Sequence, residues 1–343
     1  MRKIRAVVYG VGRMGSISTR LMLEHGVEIV GAISQSPQKV GRDLGDVAGL
    51  GFQTNVTVER DAEAVLSQLR PDIAIVTVSS YLADMYEHLH RCADHGVNAI
   101  TLAEEAFYPW RTSPRMTAAL DALAKERGVT LTGSGQQDVY WMNLVSLMMG
   151  TSHRIDSVVG RVSWNVDDYG PEVAKDQRVG DTLEQFEGFL SRGDRPPTFG
   201  RNTLDALVAG TGLRVSAIEN HTRPETATTE LYSSTLDLRI PAGEVIGFTD
   251  IDTIRTVEGP VFTFEMTGSV YAEGQRDVNE WDIHGEPELS VVNPVLNTQM
   301  TTCTSMVNRI PDVLNAPPGY VTVDRLPQLK YRAFPLGSYV EAG

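Results

Sequence analysis

Ile4-Arg5-Ala6-Val7-Val8-Tyr9-Gly10-Val11-Gly12-Arg13-Met14-Gly15 is the stretch that decides the fold. A short apolar run reads as a first strand from Ile4 to Tyr9, and the residues from about Ser16 to His25 have helical period, with Gly26 where a helix ends. Between them stand three glycines, each with its own task. Gly10 makes the tight turn, Gly12 lets a pyrophosphate approach the backbone, and Gly15 lets helix and strand pack closely. The start of the helix then faces the phosphates, where its free amides and dipole favour an anion. The stretch predicts a dinucleotide-binding turn.

Outward from it, apolar runs rich in Val and Ile alternate with helical stretches as far as Thr132. Strands are expected at Glu28–Ile33, Asp72–Val78, Asn98–Ala103 and Thr130–Thr132, and helices near Asp61–Leu69, Leu82–His95 and Ser113–Arg127. Such alternation predicts βαβ units and a parallel sheet. After about Gln137 the texture changes. Ile155–Asn165, Thr228–Ile240, Val245–Thr256 and Val261–Ala272 alternate apolar and polar residues and follow one another through short turns, which favours an antiparallel meander.

The expected fold class is α/β: an N-terminal Rossmann domain with a doubly wound parallel sheet, plus an α+β domain with a largely antiparallel sheet. Residues 1–137 form the first domain and residues 138–296 a substrate and dimerisation domain. The tail 297–343 packs back on the first domain, helical from Pro294 to Asp312 and then mostly extended after Pro317-Pro318-Gly319. Asp181–Arg192 reads as an amphipathic helix and Ser191–Arg201 as a mobile lid-like loop without assigned chemistry.

At 343 residues the chain suits two domains. Its net charge of -14 and scattered basic residues argue against a nucleic-acid partner. No run approaches the roughly 20 apolar residues of a bilayer span. Two cysteines, Cys92 and Cys303, point to structural thiols in a reducing compartment, hence the cytoplasm. Seven histidines show no metal spacing, and neither a P-loop nor a GxSxG elbow occurs, so no metal is expected. A homodimer is expected, because an alternating sheet can turn its second face to another subunit.

About 20 residues beyond the glycines, an enzyme using NAD usually places an acid on the ribose hydroxyl. Ile33-Ser34-Gln35-Ser36-Pro37 has none. Ser34 and Ser36 can donate to a 2'-phosphate, and Lys39, Arg42 or Arg13 can supply charge. NADP(H) is therefore favoured, with NAD(H) as the alternative. Ser79, just past the strand ending at Val78, is a further cofactor-binding candidate beside Gly10, Val11, Gly12, Arg13, Met14 and Gly15.

Ligands of open α/β sheets bind beyond the carboxyl ends of the strands. The strand Asn98–Ala103 ends there in Glu104-Glu105, followed by Ala106-Phe107-Tyr108-Pro109. Adjacent acids leave a strand in different directions, so one is expected to face the nicotinamide and the other water. With this pair the chain resembles the 2,4-diaminopentanoate dehydrogenase-like proteins and native amine dehydrogenases, relatives of dihydrodipicolinate reductase. The resemblance is carried by the glycine motif, by Ile100-Thr101-Leu102-Ala103-Glu104-Glu105 with Tyr108-Pro109, by Gly133-Ser134-Gly135, and by Val307-Asn308-Arg309-Ile310-Pro311-Asp312-Val313 with Ala316, Pro317 and Gly319.

The resemblance implies NAD(P)-dependent oxidative deamination of an amine to a carbonyl and ammonia, with reductive amination of a ketone or aldehyde as its reverse. It also implies a catalytic glutamate in the pair, placed at Glu104 with Glu105 in reserve. A carboxylate there would accept protons and stabilise a cationic iminium. Relatives tend to continue Gly133-Ser134-Gly135 as Asn-Pro-Gly, whereas this chain has Gln136-Gln137-Asp138-Val139-Tyr140-Trp141. No Arg falls there or in Trp164-Asn165-Val166-Asp167-Asp168-Tyr169-Gly170 to grip a substrate carboxylate. Tyr140, Trp141, Trp164 and Tyr169 offer aromatic walls instead, and Gln137 and Asn165 are candidates to bond the nitrogen. The expected substrate is a small, mostly apolar amine, or a ketone or aldehyde with ammonia. Two other readings stay open: a dihydrodipicolinate reductase-like imine or carbonyl reductase, and an NADP-sensing regulatory protein.

Overall fold

The structure is a computed structural model that describes residues 3–193 and 198–341. The chain forms two compact units, residues 1–143 with 299–343, and residues 144–298.

The first unit is built on β1 (Arg5–Tyr9), β2 (Glu28–Ile33), β3 (Val58–Glu59), β4 (Ile73–Val76), β5 (Asn98–Thr101) and β6 (Thr130–Gly133). Its helices are α1 (Arg13–Glu24), α2 (Leu44–Ala48), α3 (Ala62–Leu69), α4 (Leu82–Asp94) and α5 (Pro114–Arg127). All strand pairs are parallel, as expected of runs like Ile73-Ala74-Ile75-Val76 that are buried throughout. The helices start and stop on local signals. Asp43 and Asp61 cap α2 and α3 through Gly45 N and Ala64 N, and Gly128, at φ 71°, ends α5.

The second unit carries β7 (Arg154–Asn165), β8 (Val215–Thr226), β9 (Leu231–Ser233), β10 (Leu238–Ile240), β11 (Val245–Thr256), β12 (Val261–Ser269), β13 (Val278–Glu286) and β14 (Leu289–Asn293). Its helices are α6 (Leu144–Met149), α7 (Pro171–Asp176), α8 (Leu183–Ser191) and α9 (Phe199–Thr211). The chain returns to the first unit through α10 (Thr298–Asn315), and β15 (Gly319–Tyr320) pairs parallel with β6. The first sheet thus has seven strands in the order β15-β6-β5-β4-β1-β2-β3. Met306, Val307, Ile310 and Val313 of α10 are buried with Ile4, Val8 and Ile73.

The α/β fold class is observed, and so is the second sheet, six strands in the order β14-β13-β7-β12-β11-β8. It is mixed rather than a plain meander, because β12 pairs parallel with β7. Gly160 of β7 opposes both Phe264 and Trp281, whose rings stack 5.1 Å apart, and a Cβ there would meet each ring within 2.6 Å. The sequence reading missed β8, β13 and β14. β8 is an edge strand, Val-Ser-Ala-Ile-Glu-Asn-His-Thr-Arg-Pro-Glu-Thr, half of it exposed and with a proline, so it has little apolar alternation.

Three expected elements are corrected. Thr228–Ile240 is not one strand but the small β9–β10 sheet, because Asp237, at φ 51°, breaks the run. α10 continues through Pro311 to Asn315. Part of the expected lid, residues 194–197, lies outside the described residues, and Phe199–Arg201 belongs to α9. Among the described residues no helix is long and apolar enough to cross a membrane.

Candidate active site

Each glycine of the first turn has a different environment. Gly10 sits at φ 104°, a conformation that side chains strain to adopt, and a Cβ there would lie 2.6 Å from the Thr77 carbonyl oxygen. A Cβ on Gly15 would lie 2.0 Å from the Gly10 oxygen, so that approach of helix to strand requires glycine. Around Gly12 the space is open, with nothing within 4 Å of such a Cβ. Gly12 precedes α1, whose N-terminus has no side-chain cap and no acid in its first turn. Its backbone amides and the room above Gly12 fit a pyrophosphate.

This contrast predicts two opposite phenotypes. Gly15→Ala should destabilise the protein by about 1–3 kcal/mol through overpacking, lowering Tm by roughly 5 °C. Gly12→Ala should leave Tm unchanged and weaken binding of a reduced nicotinamide dinucleotide by about tenfold or more, read by fluorescence titration beside thermal unfolding. The reverse pairing would exclude Gly12 as the phosphate position.

The other cofactor candidates divide. Lys39 Nζ donates to the Val11 carbonyl at 2.7 Å, so its charge is held against the glycine turn. Ser34 Oγ accepts from Ser36 N at 3.2 Å, and the Ser36 hydroxyl donates to Gln38. Arg42 reaches the Gln38 carbonyl at 3.5 Å. Arg13 Nε donates to Gln299 of α10 at 2.8 Å, and the Ser79 hydroxyl donates to Asp84 at 2.8 Å.

Beyond β5 the two glutamates occupy unlike surroundings, and the expectation that one of them meets water needs correcting. Glu105 is only 3% exposed. Its Oε2 accepts from Leu82 N at 2.8 Å, at the start of α4, and its Oε1 accepts from the Thr112 and Ser113 hydroxyls, both at 2.7 Å. A carboxylate at a helix N-terminus with three donors is a structural cap. Glu104 is half-buried and accepts from the Ser80 hydroxyl, while burial pushes its carboxyl above the usual carboxylate range. Ser80 serves both acids, since its carbonyl also accepts from Glu105 N at 3.1 Å.

Gly133 explains how the turn carrying this pair reaches the sheet. A Cβ on Gly133 would lie 2.4 Å from the backbone of Ala106 and Phe107, so only glycine lets the 3-10 turn Glu105–Phe107 rest on β6. Tyr320 of β15 pins the same turn from the tail, its hydroxyl donating to the Ala106 carbonyl at 2.5 Å. Sequence reading missed both, since neither contact has a local signal.

The segment after Gly133-Ser134-Gly135 is anchored rather than open. Asp138 starts a π-helical turn, Asp138–Asn143, and is fully buried. It accepts from Ser134 Oγ at 3.0 Å and from Asn143 Nδ2 at 2.8 Å, and it receives a bidentate pair from Arg309 of α10 at 2.7 and 2.8 Å. Arg309 is buried too and also donates to Asp312 and to the Pro327 carbonyl. The Arg309-containing motif of the tail thus holds Asp138 in place. Tyr140, half-buried, and Trp141, buried, lie on the π-helical turn. Gln137 donates to the Ser134 carbonyl at 3.0 Å, which commits its nitrogen internally.

Within the second unit, Trp164 and Tyr169 meet edge to face with centroids 5.2 Å apart. Asn165 Oδ1 accepts from Asp167 N at 3.3 Å, capping the short turn Val166–Asp168. Among the described residues no group of three His, Cys, Asp or Glu side chains is placed to hold a metal.

Comparison with known proteins gives one family match and three relatives. The model of the 2,4-diaminopentanoate dehydrogenase C-terminal domain matches residues 141–333. The chain is 28% identical over 342 residues to the 2,4-diaminopentanoate dehydrogenase of Acetoanaerobium sticklandii, covering 95% of this chain and 94% of that one. It is 29% identical over 161 residues to the amine dehydrogenase of Streptomyces virginiae, covering 45% and 44%. The solved structure of the amine dehydrogenase from Mycobacterium smegmatis superposes with a TM-score of 0.93 at 59% identity, covering 97% of this chain and 98% of that one.

Proposed function

The chain belongs to the 2,4-diaminopentanoate dehydrogenase family, and from that premise we propose an NADP-preferring amine dehydrogenase acting on a small, mostly apolar amine, with Glu104 as its acid–base group. It is an oxidoreductase of CH–NH2 donors that uses a nicotinamide cofactor. The observation carrying the reading is the division of labour between the glutamates. Glu105 is consumed in capping α4, which leaves Glu104, desolvated beyond the end of β5, for chemistry.

A bound nicotinamide supplies the hydride acceptor in deamination and the donor in the reverse. The chain supplies the proton transfers. Glu104 takes a proton from the ammonium form of the substrate, leaving a neutral amine that can lose hydride. Once that proton has passed to solvent, the regained negative charge of Glu104 stabilises the iminium that forms. It accepts one proton of the water that adds to carbon and returns it to nitrogen, then takes the hydroxyl proton of the adduct as ammonia leaves, so the net products are carbonyl and ammonia.

NADP preference is supported by the end of β2, where Ser34 and Ser36 stand in place of an acid and Lys39 is held on the turn. An apolar substrate is supported by Tyr140 and Trp141, and by the commitment of Arg309 to Asp138, which removes it as a carboxylate clamp. We propose a homodimer on the exposure of β8, where Ile218 is unburied, and the cytoplasm on the two free, buried cysteines.

The deciding experiment follows NADPH oxidation by purified protein with small ketones and aldehydes, with and without ammonium. Ammonium-dependent oxidation that yields amine is the expected result, and Ser34→Asp should move preference toward NADH. Equal oxidation without ammonium, giving alcohol, would favour a carbonyl reductase. NADPH binding without turnover on any substrate would favour a nucleotide sensor.

A further inference from the structure

Three consecutive side chains follow Gly135, and two of them are committed within the chain. Gln137 bonds Ser134, and Asp138 bonds Ser134, Asn143 and Arg309. Gln136 differs from both. It is 8% exposed, and its side-chain carbonyl oxygen is buried without a hydrogen-bond partner among the described residues. A buried acceptor left unpaired destabilises the fold unless something outside the chain donates to it.

Its position says what that donor is. Ser134 N bonds the Thr101 carbonyl at 2.9 Å, so the ends of β5 and β6 are still joined where Gln136 and Glu104 leave them. Glu104 departs three residues beyond Thr101 and Gln136 three beyond Gly133, the residue paired with Thr101. The backbone turns just before Gln136 at Gly135, φ 145°, and the segment is held two residues later by the Asp138–Arg309 pair. Both residues therefore lie just past the carboxyl ends of adjacent strands, where such folds bind ligands.

We infer that Gln136 binds the substrate nitrogen, its Oε1 accepting an N–H from the amine and from the iminium. The inference rests on the amine dehydrogenase reading. An iminium carries two N–H donors and no acceptor, so it needs two acceptors. Glu104 supplies a charged one, and an amide carbonyl satisfies the second without adding a charge that would raise the cost of burial. The same oxygen opposes a ketone, whose own oxygen is an acceptor. Gln136 thereby favours the iminium over the free ketone as the species that is reduced.

The test compares wild type with Gln136→Leu and Gln136→Met, which keep bulk and remove the acceptor, and with Gln136→Glu, which keeps an acceptor. Steady-state reductive amination by NADPH is followed with ammonium chloride and a small ketone. The KM for ammonium should rise by about tenfold in the Leu and Met variants, while the KM for ketone does not rise and NADPH binding is unchanged. Ammonium-independent ketone reduction should rise relative to amination, and Gln136→Glu should restore the ammonium KM. An unchanged ammonium KM in Leu and Met variants of normal or raised Tm would overturn the inference and make Gln136 an internal residue. A wild type that never uses ammonium would instead sink the parent reading.

Discussion

Glu104→Gln is expected to lower kcat for deamination by about 10²- to 10⁴-fold, the usual worth of a positioned acid–base group, with NADPH binding unchanged. The amide keeps the size of the carboxyl and can still bond the Ser80 hydroxyl, so the loss would report proton transfer rather than collapse of the site. Two pH effects accompany it. Because burial raises the carboxyl of Glu104 above its ordinary range, the ionised base appears only at higher pH, and the acid limb of the deamination profile moves upward with it.

Stability runs the other way. The unfolded chain loses this proton first as pH rises, so the native state is penalised from the ordinary glutamate pKa up through the raised one, and the penalty is complete above it. Glu104→Gln removes that slope and should raise Tm at neutral pH relative to wild type, with the two proteins converging in acid. Glu105→Gln should do the opposite, costing about 1–2 kcal/mol of stability through the weakened cap with most of kcat retained. If Glu105→Gln is the inactive variant and Glu104→Gln the unstable one, the roles assigned here are exchanged.

Arg309→Met is expected to be the most destabilising single change, at about 3–5 kcal/mol, because it leaves the Asp138 carboxylate buried and uncompensated. For a unit of this size that is a Tm fall of roughly 10 °C. Asp138→Asn alone should cost less, since the amide stays hydrogen-bonded to its neighbours and Arg309 keeps Asp312 and the Pro327 carbonyl. Combining the two should recover part of the loss, because no unpaired carboxylate then remains at Asp138. Thermal unfolding of the four proteins gives the coupling directly, and a single-variant cost below about 1 kcal/mol would mean the pair is not the anchor described. Salt should change these values little, since the pair is fully buried.

Much of the fold was legible because its signals are local. Parallel strands buried on both faces read as apolar runs, helix ends carry Asp caps or glycines, and the glycine spacing follows from a turn that admits a phosphate. β8 was not legible, because an edge strand facing outward needs no apolar face. The Thr228–Ile240 run looked like one strand because its break depends on a single residue, Asp237, in a left-handed conformation.

The candidate site was legible by type but not by role. Adjacency alone says that Glu104 and Glu105 point apart, not that one is buried against α4. That role needs the donors Leu82 N, Thr112 and Ser113 to arrive from other parts of the chain. Asp138 and Arg309 lie 171 residues apart, and nothing in either segment announces the other. The sequence by itself determined the glycine turn, the parallel sheet and the pair of acids at a strand end, since these follow from backbone geometry and hydrophobic period over a few residues. Only the tertiary structure decided which acid is a cap, which arginine is already spent and which amide is left wanting a donor, because burial and partnership are properties of residues that meet only after the chain has folded.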